Sequence, residues 1–365
     1  MFQATSHVRR SSATRAALVA VALAWSMPVA ADPGQIDVSG RVFARDTAIK
    51  VQDSLADWRN EAEIASARLS ATYEIKKTLK TQVEVDLAEG EVDLDDAYAR
   101  YRPIPELQCQ VGQFKRPVSQ ISMVSAWRLP IVERGLLNDR LTAGSLDIRL
   151  PFGGRSQGAT LEYRPKLPLS PRLTTGVFNS RLARSNVEGV DAFDPDAHRF
   201  EDVYNRIEVE PKKGLHIGAT VAVIQRVRNL SGDLDHVGVA GADVLYAHHY
   251  GRVWGEGFYG RTVFVDPVVG RVRGAMWAGR FLVAPRLDRF FGGGTVSRIE
   301  PFVSVSVFEP STVINETLAV QAGGGMSVNL IKELKAQIEY VHLETELQFP
   351  IAPLQRLFFQ VGSKF

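Results

Sequence analysis

Long hydrophobic runs are missing from this 365-residue chain. No stretch reaches the roughly 18 apolar residues that a membrane-spanning helix needs. Cysteine is nearly missing too: Cys109 stands alone, which excludes a disulfide framework and any paired-cysteine metal site. Nor does charge of one sign dominate, since 43 Lys+Arg face 41 Asp+Glu. The chain lacks the basic excess and the motifs of a nucleic-acid binder. Its 23% charged and 45% hydrophobic residues fit a folded chain and not a disordered one. No H-E-x-x-H pair occurs and the seven histidines are scattered, so no enzyme and no cofactor is expected.

The first residues skew the charge count. Arg9, Arg10 and Arg15 precede an apolar run from Ala16 to Trp25, then Val29-Ala30-Ala31, with no acid before Asp32. That is the order of a secretory signal peptide over residues 1–31. Its removal would take away three arginines and no acid, turning a formal +2 into −1. Global charge therefore says nothing about partners.

From Gln35 onward a period of two prevails, as a strand with one apolar face requires. In Ile64–Ile75, Ala67, Leu69, Ala71, Tyr73 and Ile75 alternate with Arg68, Ser70, Thr72 and Glu74. Val303, Val305 and Val307 alternate with Ser304 and Ser306. Such segments fall at 36–45, 60–75, 78–88, 93–102, 107–114, 156–163, 172–179, 203–210, 215–227, 236–247, 251–263, 271–283, 296–308, 317–330, 333–345 and 356–365. Sixteen segments, most about 8–13 residues long, suit tilted strands crossing a bilayer. Links after even-numbered segments are mostly short (Lys76-Lys77, Ile104-Pro105, Ile331-Lys332), while 46–59, 115–155, 180–202, 228–235 and 346–355 are long. The pattern predicts an all-β, transmembrane antiparallel β-barrel over residues 32–365. Its last strand ends Phe358-Phe359-Gln360-Val361-Gly362-Ser363-Lys364-Phe365, a terminal aromatic like the insertion signal read by a barrel-assembly machinery. A soluble sandwich would leave that end as an aggregation-prone edge.

Residues 115–155 form the longest link. They hold Lys115, Arg116, Arg128, Arg134, Arg140, Arg149 and Arg155 against Glu133, Asp139 and Asp147, a net of +4. They also carry Val118, Ile121, Met123, Val124, Trp127, Leu129, Ile131, Val132, Leu136 and Leu137, too apolar for a loop in water. The link is expected to fold into the barrel and narrow its lumen with positive charge. Arg41, Arg45, Arg68, Arg100 and Arg102 add to the lumen face. Guanidinium suits carboxylate or phosphate because its planar fork bonds two oxygens. Lumenal Glu74, Glu84, Asp86, Asp95 and Asp96 would cancel some of these arginines.

Val111-Gly112-Gln113-Phe114-Lys115-Arg116-Pro117, then Val132-Glu133-Arg134 and Asn138-Asp139-Arg140, resemble the signature of the phosphate-selective porin O and P family. Asp96-Ala97-Tyr98, Tyr101-Arg102-Pro103 and Gly158 to Tyr163 fit as well, so the motifs span about residues 93–165. The resemblance implies a sixteen-stranded, usually trimeric outer-membrane porin of a Gram-negative bacterium, whose third extracellular loop folds inward along an anion pathway. Lys115, Arg116, Arg128, Arg134, Arg140, Arg41, Arg68 and Arg100 are the expected pathway residues, with Glu133 a structural partner of an arginine. The expected partners are small anionic solutes and outer-membrane lipid. A weakly selective general porin and a plugged structural or adhesive barrel are the alternatives. Weaker signals are read as bland: the acidic stretch Asp191–Asp196 as a solvated loop, His248-His249 as no metal site, and Cys109 as an outward apolar position.

Overall fold

A strand alternating apolar and polar residues shows each face a different medium, and closing sixteen of them leaves no unpaired edge. The computed structural model describes residues 34–365 except 52–56, 91, 135, 137–140, 144–145, 149–153, 180–199, 229–233, 267–269, 288–295, 310–311, 313–315 and 347–352. The expected leader 1–31, Arg140, Arg149 and the acidic stretch Asp191–Asp196 lie outside the described residues.

The barrel strands are β1 Gln35–Val51, β2 Arg59–Ile75, β3 Leu79–Asp86, β4 Asp93–Ile104, β5 Leu107–Lys115, β6 Arg155–Tyr163, β7 Arg172–Asn179 and β8 Phe200–Lys212. There follow β9 Leu215–Arg228, β10 Leu234–His248, β11 Gly251–Asp266, β12 Gly270–Pro285, β13 Arg298–Glu309, β14 Ala319–Ile331, β15 Leu334–Thr345 and β16 Leu354–Lys364. Each pairs antiparallel with its chain neighbours, and β1 closes the barrel on β16 from Arg41↔Lys364 to Val51↔Leu354. All sixteen expected segments are strands. β1 and β2 run to 17 residues each; β1 is longer than its alternation over 36–45 indicated, while β2 matches its segment 60–75 to within one residue. About nine to eleven tilted residues cross a bilayer, so both project beyond it at the end that carries the third loop.

The outer wall is apolar. Ile36, Val38, Leu69, Val111, Val221, Val303 and Phe359 are all exposed there, a distribution that hydrocarbon rewards and water penalises. Cys109, in phase with Val111, is free. No helix is long and apolar enough to cross a membrane among the described residues.

Loop lengths segregate by end with three exceptions. β6 and β7 are joined by residues 164–171 and β12 and β13 by 286–297 at the end otherwise carrying tight turns, whereas β11 and β12 are joined by only 267–269 at the other. Position along the barrel, not link parity alone, sets what a turn must reach.

Gly112 lies in β5 with φ +132°, and a Cβ there would meet Ala97 O at 2.2 Å and Tyr98 Cα at 2.6 Å. Both obstacles are backbone, so Gly112→Ala strains the conformation and displaces β4. A loss of about 1–3 kcal/mol is expected, read as a lower urea midpoint for the detergent-refolded barrel. An unchanged midpoint would contradict the close approach.

Candidate functional site

The third connection at the long-loop end, between β5 and β6, runs inside the barrel, as its apolar composition demands. Ile121, Leu129 and Ile131 bury against Trp254, Leu282, Ala284 and Phe302 of β11 to β13. Val118 and Leu136 join a second cluster with Phe114, Phe178, Tyr204, Ala222, Ile224, Phe258, Met276 and Leu343. The interior is therefore not wet throughout: much of the inward face from β5 to β15 is dry core beneath the loop. A helical turn, α1 Gln120–Met123, starts at Ser119, whose hydroxyl accepts from Ser122 N while Ser122 Oγ bonds back to the Ser119 backbone. A 3₁₀ turn follows at Ala126–Arg128.

Polar wall residues grip the loop backbone on both limbs. Arg206 of β8 donates to Val118 O (3.1 Å) and to Asp243 of β10 (2.6 Å), Thr220 Oγ donates to Val118 O (2.8 Å), and Asp243 accepts from Gln120 N (3.3 Å). On the return limb an inward row of β15 takes over. Lys335 Nζ donates to Trp127 O (3.2 Å) and Leu129 O, Gln337 Nε2 to Pro130 O (2.7 Å), and Glu339 Oε2 accepts from Val132 N (2.6 Å) and Glu133 N (2.9 Å). A backbone held by both donors and acceptors has its height in the barrel fixed, where apolar contact alone would let it slide.

The opposite face of the loop borders open space. A cavity of ≈ 550 Å³ lies between α1 and the 3₁₀ turn and the inward faces of β1, β2, β3 and β16, lined by Arg41, Arg68, Glu84, Met123, Ser125, Trp127, Arg128 and Lys364 among others. On its strand side, charges form a network. Arg41 pairs with Glu84 (3.0 Å); Arg68 with Asp95 (2.6 Å), Asp86 (2.9 Å) and Glu84 (3.3 Å); Arg155 with Asp96 (2.7 Å), Asp95 (2.9 Å) and Glu84 (3.4 Å). Three guanidiniums meet four carboxylates, so this wall carries no positive surplus. Across the cavity, Arg128 has no ion pair among the described residues, and Lys364 has only the Trp127 ring, 5.1 Å from its Nζ.

The expected pathway residues thus separate into three settings. Arg128, Arg41 and Arg68 line the cavity, the last two neutralised. Arg100 faces the lumen nearer the short turns, bonded to the neutral Gln110 (3.0 Å) and Tyr98 hydroxyl (3.4 Å) with no ion pair among the described residues; Arg102 similarly meets Gln108 (2.7 Å). Lys115, Arg116 and Arg134 are turned away from the open space. Lys115 Nζ donates to Ser122 O (3.1 Å) and Val124 O (3.3 Å), and Arg134 donates to Ile121 O, Ser122 O and Val124 O (3.2, 3.2 and 2.8 Å), so both staple the loop to itself. Arg116, 2% exposed, is embedded in the wall against Asp202 (3.0 Å), the Tyr204 hydroxyl (3.0 Å) and Asn179 O (3.2 Å). Its place there is a correction to the expectation that it borders the pathway: once the loop enters the barrel, its first residue is trapped behind it. Glu133 accepts from Arg356 and from Gln321 (3.1 Å).

Sequence reasoning missed Lys364, although it shares the inward parity of Arg356, Phe358 and Gln360 on β16. It also missed the β15 row, since Lys335, Gln337 and Glu339 look like any polar strand face. A G-x-S-x-G string does occur, at Gly154-Arg155-Ser156-Gln157-Gly158. It is no nucleophile elbow: it runs straight into β6, and the buried Ser156 hydroxyl donates to Asn179 O at 2.7 Å. His248 stacks on Tyr246 and His249 lies tilted against Tyr250 at a turn, and no metal-binding group exists among the described residues.

A sixteen-stranded closed barrel, apolar outside and narrowed by an inward loop beside a water-accessible cavity, is the architecture of a porin. The sequence profile of the phosphate-selective porin O and P family matches residues 36–193, from β1 to beyond β7 and including the whole inward loop. No curated protein sequence matches the chain. Among solved structures it is similar to an anion-selective porin from Comamonas acidovorans (11% identity over 91% of this chain and 100% of that one, TM-score 0.65). It is also similar to the outer membrane channel DcaP of Acinetobacter baumannii (13%, 91% and 97%, 0.63) and the trimer form of OmpT of Vibrio cholerae (11%, 92% and 100%, 0.60).

Proposed function

We propose that this barrel is a passive diffusion channel of a Gram-negative outer membrane, open to small hydrophilic solutes and favouring anions such as phosphate. The observation that carries this reading is the charge left over at the cavity: Arg128 and Lys364 stand there without a carboxylate partner among the described residues. Arg100 and Arg102 extend the same sign toward the short turns. A fixed positive potential in a narrow lumen concentrates anions and repels cations without a tight binding step. Transport down a gradient needs no cofactor, and no enzymatic reaction is assigned.

A weakly selective general porin is the second reading, favoured by the four carboxylates that cancel Arg41, Arg68 and Arg155. The open cavity weighs against a plugged structural barrel. Assembly as a homotrimer is part of the proposal, supported by the family match and by the trimer form of one structural neighbour. Recognition by a barrel-assembly machinery through the exposed terminal Phe365 belongs to it as well.

Reversal potentials in planar bilayers under a KCl gradient test the reading. The wild-type channel is expected to show an anion-favouring sign. Replacing Arg128 and Lys364 together with glutamine should move the potential toward zero, because no other cation on the cavity lacks an ion pair among the described residues. A wild-type value near zero would select the general porin, and absence of conductance would sink the channel altogether.

A further inference from the structure

The cavity is mixed in a way that a pathway for bare oxyanions does not call for. Beside the two cations, which have no ion pair among the described residues, the loop crest presents Met123, Val124 and Trp127 to the same space, and Met123 is 41% exposed. Trp127 directly precedes Arg128 in the chain and lies 5.1 Å from Lys364 Nζ, with Phe43 packed at 5.7 Å. Cationic and aromatic groups therefore adjoin within one small region of wall.

A hydrated inorganic oxyanion would gain from Arg128 and Lys364 but lose water against Met123, Val124 and the indole, with nothing in return. An anion carrying a flat apolar ring meets both demands. Its carboxylate pairs with the guanidinium and ammonium, while its ring covers the thioether and lies against the indole. The cavity, ≈ 550 Å³, admits such a solute together with water. Resting on the channel function proposed above, we infer that the solutes favoured at this constriction are aryl carboxylates, held between Trp127, Arg128 and Lys364.

Chloride conductance of single channels in planar bilayers, titrated with sodium benzoate, sodium acetate or sodium phosphate, tests this. Benzoate should depress the chloride current at concentrations about ten-fold below those of acetate or phosphate, the worth of one aromatic contact. Trp127→Leu should bring benzoate level with acetate, and Trp127→Phe should retain most of the difference. Benzoate acting no better than acetate on the wild-type channel overturns the inference, whether or not the variants insert. A benzoate advantage surviving Trp127→Leu also overturns it. The two failures are separable: a wild-type channel without anion preference in the KCl gradient sinks the channel reading, whereas an anion-selective channel blind to the ring sinks only this inference.

Discussion

Arg116→Met is expected to destabilise the barrel by about 3–5 kcal/mol, because it removes the guanidinium from beside a carboxylate that has no access to water. Asp202 is fully buried, and Arg116 lies 3.0 Å from it with a further bond to the Tyr204 hydroxyl. The Arg116 guanidinium also sits 5.6 Å from the Tyr204 ring centre, at the end of an edge-to-face series Phe114–Phe178–Tyr204 with 5.4 Å spacings. This pair ties the root of the inward loop to β8 across the aromatic row. Urea unfolding of the detergent-refolded barrel, followed by tryptophan fluorescence, should show the drop in midpoint. Asp202→Leu added to Arg116→Met should restore most of it, since two apolar groups of similar bulk replace a buried ion pair at little cost. A single variant unfolding at the wild-type urea concentration would show that the charge is not sealed in.

The barrel was legible because a period of two survives wherever one strand face meets lipid and the other does not. Leu357, Phe359 and Val361 on β16, or Ala67, Leu69 and Ala71 on β2, announce their direction without help from the rest of the fold. The inward turn of the loop was legible for a related reason, since Ile121, Leu129 and Ile131 had to find apolar cover. What stayed hidden was which arginines the loop would leave free. Arg116, Arg128 and Arg134 look alike in the chain, yet one is sealed behind the loop, one staples it, and one remains open to the cavity. Their difference depends on which loop carbonyls and distant carboxylates arrive beside them, and Asp202 is 86 positions from Arg116. Similarly, the cancellation of Arg41, Arg68 and Arg155 is set by strand register: Arg68 stands opposite Asp86, and Glu84 opposite Asp96, pairings that no local pattern encodes.

The β15 row should decide how wide the channel is, independently of the charges that decide what passes. Glu339 receives two loop N–H groups, while Gln337 and Lys335 donate to loop carbonyls between Trp127 and Pro130. Gln337→Glu keeps volume but replaces a donor by a carboxylate facing carbonyl oxygens, and Glu339→Leu leaves Val132 N and Glu133 N unbonded at about 1–3 kcal/mol each. Either change should loosen the loop from the wall, while the clusters under Ile121 and Val118 keep its first limb in place. The expected result is a set of several conductance levels where the wild-type channel shows one. A switch between levels requires a segment with two available positions, and loss of the β15 bonds supplies the second. Gel mobility of the unheated protein separates this outcome from failure to fold, since a closed barrel should still run as the compact form. Variants that insert and conduct at a single wild-type level would show that apolar packing alone positions the constriction.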